Sequence, residues 1–489
     1  MTTTTQEEQL VEQVPKQLYI GGEWRDADEG GKLEVEDPAT GEPLCEVADA
    51  TPDDAQAALA AAAATQAEWA SQPPRERGEI LRRAFETLSE RADELAVLMT
   101  LEMGKPVAES KAEIAYAAEF FRWFSEEAVR IDGRYTVNAD RPGRTVVMRQ
   151  PVGPCLLITP WNFPMAMGTR KIGPAIAAGC TMVMKPASQT PLSMLELGRI
   201  LEEAGLPGGV LNIITSSSSG SVVAPLLDDD RLRKLSFTGS TEVGAKLMEQ
   251  ASRHLLRVSM ELGGNAPFLV FDDADVDAAI EGAMLAKMRN IGEACTAANR
   301  FHVAEPLAER FTEKLAEQMG SLKVGRGTED DVEVGPLIDD DQRSKVAELV
   351  QDAIDKGATA VVGGHEREGA GYFYDPTVLG DVPDDARVLK EEVFGPVAPV
   401  KSFASEEEAI AAANDTEYGL VAYVFTRDLN RAIRVSERLE TGMVGLNQGM
   451  VSNAAAPFGG AKASGFGREG GYEGLEEYLN VKYVAMNAP

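Results

Sequence analysis

Residues 155–160 read "CLLITP", 181–186 "TMVMKP", 209–215 "GVLNIIT" and 234–240 "KLSFTGS". Each is a short apolar run, and each leads into a helical segment or a helix-starting turn. Strands that alternate with helices at this spacing form βαβ units, and so a parallel sheet with helices on both faces. Gly and Pro between the runs mark the boundaries. The fold class is α/β.

Upstream, residues 51–131 carry Ala, Glu, Arg and Leu at helical spacing, which predicts two or three amphipathic helices. "RTVVMRQP" (144–151) then reads as a strand or strand pair. Downstream, "NAPFLVF" (265–271) opens a second alternation. It runs through a helix at 275–290, "RFHVA" (300–304), a helix at 306–319, "TAVVGG" (359–364) and "YFYDPTVL" (372–379). A helix at 405–413, "VAYVFT" (421–426), a helix at 429–438 and "GMVGLN" (442–447) complete it, giving a second α/β unit that holds Cys295. "SSSSG" (216–220) is expected to be a flexible turn. "YLNVKYVAMN" (478–487) alternates like a strand without a hairpin neighbour, so it is expected to pair with a distant sheet or another subunit.

At 489 residues the chain should form two or three compact units. Its 44% apolar and 26% charged residues are those of a globular protein. No apolar run approaches the roughly 18 residues of a membrane span. "MTTTTQEEQLVEQVPKQ" (1–17) is polar and lacks an export-signal core, so a loose tail over residues 1–14 and a cytoplasmic location are expected. A net charge of -32 argues against nucleic acid or an anionic membrane as partner.

The four cysteines, Cys45, Cys155, Cys180 and Cys295, are widely separated and form no C-x-x-C pair. That disfavours a disulfide framework or a thiolate zinc site, and no metal is expected. The three histidines are His254, His302 and His365. His302 lies in a strand pattern and His365 in a Gly-rich turn, so a cysteine nucleophile here would need some other base.

A parallel sheet invites a dinucleotide, yet no G-x-G-x-x-G follows any of these strands. Two signals remain. In "FTGSTEVG" (237–244), Gly239, Ser240 and Thr241 open a helix whose free N–H groups suit a pyrophosphate; Ser and Thr are also ordinary helix caps. In "KPASQTP" (185–191), Lys185 ends a strand on the side where open α/β sheets bind ligands, a place for ribose hydroxyls or a phosphate.

Adding "PWNFP" (160–164), "MELGGNAP" (260–267), "GEAC" (292–295), "EEVFGP" (391–396) and "PFGGAKASGFGREGG" (457–471), in this order, the chain resembles the aldehyde dehydrogenase superfamily from about residue 18 onward. Residues 162–191 and 259–290 look like its succinate-semialdehyde dehydrogenase group. The resemblance implies a Rossmann-like nucleotide-binding domain (15–130 and 150–261) and an α/β catalytic domain (262–450). It also implies a small β bridging or oligomerisation element (131–149 and 470–489), with a homodimer or homotetramer as the assembly.

The resemblance also implies roles. Oxidising an aldehyde by hydride loss requires a tetrahedral carbon first, and a thiolate that adds to the carbonyl supplies it. Cys295 is the expected nucleophile, with Asn162 and the Cys295 N–H as oxyanion donors. Glu261 is the expected base for thioester hydrolysis, and Glu293 a neighbour that tunes access. For the cofactor, Lys185 is expected at the adenosine ribose, Gly239 and Ser240 at the pyrophosphate, Glu392 at the nicotinamide ribose, and Trp161 and Phe394 packed nearby. Ser188 stands where strict NAD users often carry an acid, so NADP is expected to be preferred and NAD accepted. Arg170, Arg289 and Ser452 match positions that grip the distal carboxylate of succinate semialdehyde. Ala297 removes the second cysteine that some relatives use for a local disulfide. A different aldehyde (glutarate semialdehyde, lactaldehyde or an amino-aldehyde) and a non-catalytic scaffold are the alternative readings.

Overall fold

The computed structural model of the chain describes residues 5–487. The four opening runs become adjacent parallel strands, Cys155–Ile158, Met182–Lys185, Leu211–Ile213 and Lys234–Thr238, with Arg257–Glu261 as a fifth. Every residue of the first four is buried. Continuous apolar runs are what a sheet covered on both faces demands. Antiparallel additions extend the sheet to eight strands: Leu18–Ile20 and Glu23–Arg25 on one side, Gly465–Phe466 on the other.

The chain steps outward from Cys155–Ile158 through Met182–Lys185 to Leu211–Ile213, then returns to the opposite side with Lys234–Thr238. The reversal makes a switch point between Cys155–Ile158 and Lys234–Thr238, the place where open α/β sheets bind ligands, beyond the carboxyl ends of the strands. Register aligns those ends, Ile158 with Lys185, Phe237 with Ile158, and Thr238 with Glu261.

A second sheet of seven strands runs Thr359–Val362, Thr377–Gly380, Val397–Phe403, Ala298–Ala304, Ala266–Val270, Val421–Phe425, Met443–Leu446. All its pairings are parallel except the first. Phe268 anchors its core, stacking on Phe425 at 4.9 Å and leaning on Phe301 at 5.1 Å. The helix Asp340–Asp355 and the strand Val397–Phe403 were not among the sequence expectations; nor was the hairpin of Lys32–Asp37 with Glu42–Ala48.

Three expectations are corrected. Residues 51–131 hold four helices, Pro52–Ser71, Pro74–Glu90, Ala92–Met103 and Val107–Glu127, because short caps and prolines divide what reads as fewer. The serine run does not stay a turn: a helix, Ser219–Leu227, starts within it, and Ser217 is tied to Asp49. Of the expected tail, residues 1–4 lie outside the described residues, while Gln6–Gln13 is a helix, closed by a capping box between Thr5 and Glu8 and seated through buried Val11.

The strand Leu479–Met486 pairs antiparallel along its whole length with Arg144–Pro151, which also takes Arg134–Val137 on its other side. Among the described residues no helix is long and apolar enough to cross a membrane.

Candidate active site

The helix Val276–Met288 stops at Arg289, and the next three residues, Asn290, Ile291 and Gly292, all have positive φ (56°, 61° and 79°). For Asn and Ile such a backbone costs about 1–3 kcal/mol each and persists only where its surroundings fix it. Here they do. Asn290 N donates to Glu109 Oε2 (2.6 Å), Asn290 Nδ2 to Glu293 O (2.8 Å), and Glu293 N to Asn290 O (2.8 Å). A Cβ at Gly292 would lie 2.2 Å from Gly395 O, so only glycine fits.

This turn delivers Cys295, a free and partly exposed cysteine. Burial pushes its thiol up to about 12; Arg170 and Arg289 pull it down, and Glu392 and Glu261 add to the rise. In the link between the two sheets, Gly264 comes close: a Cβ there would stand 2.3 Å from Cys295 O.

Glu261 ends its strand buried, with neither carboxylate oxygen hydrogen-bonded. Burial raises its pKa well above 4.5 and the nearby Glu469 adds to that, while Arg170 and Lys171 oppose it. Asn162, four residues past the end of Cys155–Ile158, is also buried. Its Nδ2 donates to Glu293 O (2.9 Å), two residues before the cysteine, and its Oδ1 has no partner. The Glu293 carboxyl accepts from Ile338 N (3.2 Å), and burial holds its pKa well above the ordinary range.

Lys185, Ser188, Gly239 and Ser240 lie at or just past the carboxyl ends of their strands. Lys185 is 3% exposed, and burial pulls its pKa down to about 8 against the attraction of Asp49. Such an ammonium gains from an anion placed over it. Ser188 follows, its Oγ donating to Gln189 Oε1 (3.2 Å). Gly239 N donates to Glu261 O (3.1 Å), linking the two strand ends. Exposed Ser240 caps the helix Thr241–Ser252 by accepting from Val243 N, which leaves its own O–H free to donate. Glu392 Oε1 accepts from Gly264 N (3.0 Å), and burial raises its pKa to about 7. The ring of Trp161 meets that of Phe394 edge to face at 5.4 Å. A buried lone cation, an open helix terminus and an aromatic wall fit a nicotinamide dinucleotide. Among the described residues no group of three His, Cys, Asp or Glu side chains could hold a metal ion.

At the other end of the cysteine, Arg289 Nη1 donates to Ser452 Oγ (3.2 Å) and its guanidinium lies 4.9 Å from the Phe163 ring centre. Arg170 is placed differently. It is 2% exposed, its Nε lies 2.5 Å from Glu469 Oε2, and it stacks 4.1 Å from the centre of the Phe458 ring. Its charge is already paired with Glu469, while buried Nε and Nη2 make no hydrogen bond. A cavity of about 470 Å³ lined by Tyr116, Trp123, Ser452 and Asn453 opens beside this group.

Sequence reasoning passed over Glu469, Lys171 and Tyr116. Lys171 Nζ donates to Glu469 Oε1 (2.5 Å), and the Tyr116 hydroxyl is buried without a hydrogen bond. One signal was available. Two adjacent cations in the apolar helix "AMGTRKIGPAIAA" (166–178) require a buried acid from elsewhere.

The "Aldehyde dehydrogenase family" model matches residues 24–484. A succinate-semialdehyde dehydrogenase of Paenarthrobacter nicotinovorans is 59% identical over 91% of this chain and 99% of its own length. An NADP(+) succinate-semialdehyde dehydrogenase of Escherichia coli is 51% identical over 96% and 98%. The crystal structure of a succinate-semialdehyde dehydrogenase from Burkholderia pseudomallei superposes with a TM-score of 0.96 at 47% identity, covering 100% of both chains. With a family model matched over residues 24–484 and relatives aligned along nearly the whole length, this chain is a member of the aldehyde dehydrogenase family.

Proposed function

We propose that the protein oxidises succinate semialdehyde to succinate with NADP, accepting NAD less well. The observation that carries this reading is the Arg289–Ser452 pair, a guanidinium and a hydroxyl joined at 3.2 Å within electrostatic reach of Cys295. A guanidinium with a hydroxyl beside it suits a carboxylate at the far end of a short aldehyde. Buried Nη2 of Arg170 supplies a further donor.

In this reading the Cys295 thiol releases its proton to water, the thiolate sulfur adds to the aldehyde carbon, and the carbonyl π pair moves onto oxygen. The second N–H of Asn162 and the Cys295 N–H hold that oxyanion. A bound nicotinamide would supply the hydride acceptor, and the carbon held on Cys295 becomes a thioester. Glu261, with its raised pKa, takes a proton from water as that water adds to the thioester. The C–S bond breaks, succinate leaves, and the thiolate returns. Lys185 and Ser188 would hold the adenosine ribose with its 2′-phosphate, Gly239 and Ser240 the pyrophosphate, and Glu392 the nicotinamide ribose between Trp161 and Phe394. The Glu293 carbonyl holds the Asn162 amide from behind, and its side chain is assigned to tuning access to the pocket.

The eight-stranded unit (15–130 and 150–261) is assigned to the nucleotide and the seven-stranded unit (262–450) to the nucleophile. The bridging element (131–149 and 470–489) is assigned to assembly as a homodimer or homotetramer. A reducing compartment such as the cytoplasm suits four free thiols, one of which must stay reduced.

The test is NADPH or NADH formation over a small panel of aldehydes. Arg289→Ala should raise KM for succinate semialdehyde about 10- to 100-fold, the scale of a lost charge-assisted hydrogen bond, and leave uncharged aldehydes unaffected. Equal losses on both classes would show that the pair does not select the substrate.

A further inference from the structure

Lys105 is fully buried at the corner between the helices Ala92–Met103 and Val107–Glu127. Its Nζ donates to Glu113 Oε2 (2.5 Å) and to the backbone carbonyl of Asn162 (2.7 Å), and it lies 4.4 Å from the centre of the Phe163 ring. Carboxylate, carbonyl and ring face together surround the ammonium. The other Glu113 oxygen accepts from Met165 N (3.0 Å) and Ala166 N (3.1 Å). Those are the N–H groups that open the helix Ala166–Ala178, whose N-cap residue, Met165, provides no side-chain cap.

One buried ion pair therefore grips residues 162–166 at both ends. A pair with both side chains 1% exposed is a poor source of stability, because desolvation offsets most of the attraction. What it does supply is a fixed geometry. The main chain of Asn162 is tied to Lys105, while the side chain of the same residue is tied to Glu293 O, two residues from the nucleophile. With both ends held, the amide has little freedom to turn away from the sulfur.

We propose that Lys105 and Glu113 are positioning residues that fix the Asn162 amide for the oxyanion. The proposal rests on the reading of Asn162 given above. It places their effect in the first half-reaction, upstream of thioester hydrolysis and apart from nucleotide affinity.

The experiment is a double-mutant cycle on the full chain, read as the rate of the first turnover of NADPH formation. NADP affinity and Tm are measured alongside. Lys105→Met should slow the first turnover by about tenfold or more, as small displacements of a catalytic group do, with NADP affinity within about twofold. In an Asn162→Ala background the same substitution should cost less than about twofold, because its target is gone. Losses that multiply in the double variant overturn the proposal and leave a structural role only. If Asn162→Ala alone keeps the native first-turnover rate while Cys295→Ser abolishes it, the reading of Asn162 fails and the proposal with it. Glu113→Gln carries the same cycle should Lys105→Met not fold, with the same non-additivity expected.

Discussion

Glu261 shows most directly how burial becomes chemistry. A carboxyl with both oxygens unpartnered keeps its proton to higher pH than in water, so it ionises closer to the range where a base is useful. Where hydrolysis limits turnover, kcat should rise about tenfold per pH unit up to the raised pKa and then level. Glu261→Gln should remove that limb and lower kcat by about 10²- to 10⁴-fold, while the first-turnover burst survives. The shift also bears on stability. A folded pKa above the ordinary 4.5 gives a contribution that is full below 4.5 and is lost as pH rises through the folded value. Glu261→Gln should flatten that part of the stability–pH curve in denaturant melts. Cofactor choice belongs to this scale too. Ser188→Glu beside Lys185 should reduce kcat/KM for NADP at least about tenfold and spare NAD, through repulsion of a 2′-phosphate. Steady-state titration with both nucleotides checks it.

Among the elements, the turn at Asn290–Gly292 and the glycine pair after Glu261 bring two sheets to one sulfur. Gly264→Ala would force a methyl group against Cys295 O. A loss of about 1–3 kcal/mol in stability is expected, with kcat falling further than stability explains because the nucleophile moves. Thermal melts and kcat on one preparation separate the two effects. The parallel strands were legible because both their faces are covered, so they read as unbroken apolar runs. The helix Asp340–Asp355 was legible in principle: Val346, Leu349, Val350 and Ala353 follow helical spacing, but the acids around them obscure it. Cys295, Asn162 and Glu261 stood out in short local motifs. Glu469 did not, since its meaning lies in a contact with Arg170 and Lys171 nearly three hundred positions earlier, a distance no local pattern spans.

For the whole molecule, the three-stranded sheet leaves Tyr135, Val137, Val481 and Tyr483 exposed among the described residues (63%, 64%, 64% and 58%). An apolar surface of this kind on an edge strand fits a second copy of the chain. Val481→Glu with Tyr483→Lys should shift the assembly to smaller species in light scattering, with the Tm of the remaining protomer little changed. The same sheet has a consequence for synthesis. Arg144–Pro151 leaves the ribosome early, yet the strand that covers one of its edges, Leu479–Met486, follows only after both larger sheets have been translated. Until then a growing polypeptide displays an open ladder of amide and carbonyl groups, a template for mispairing.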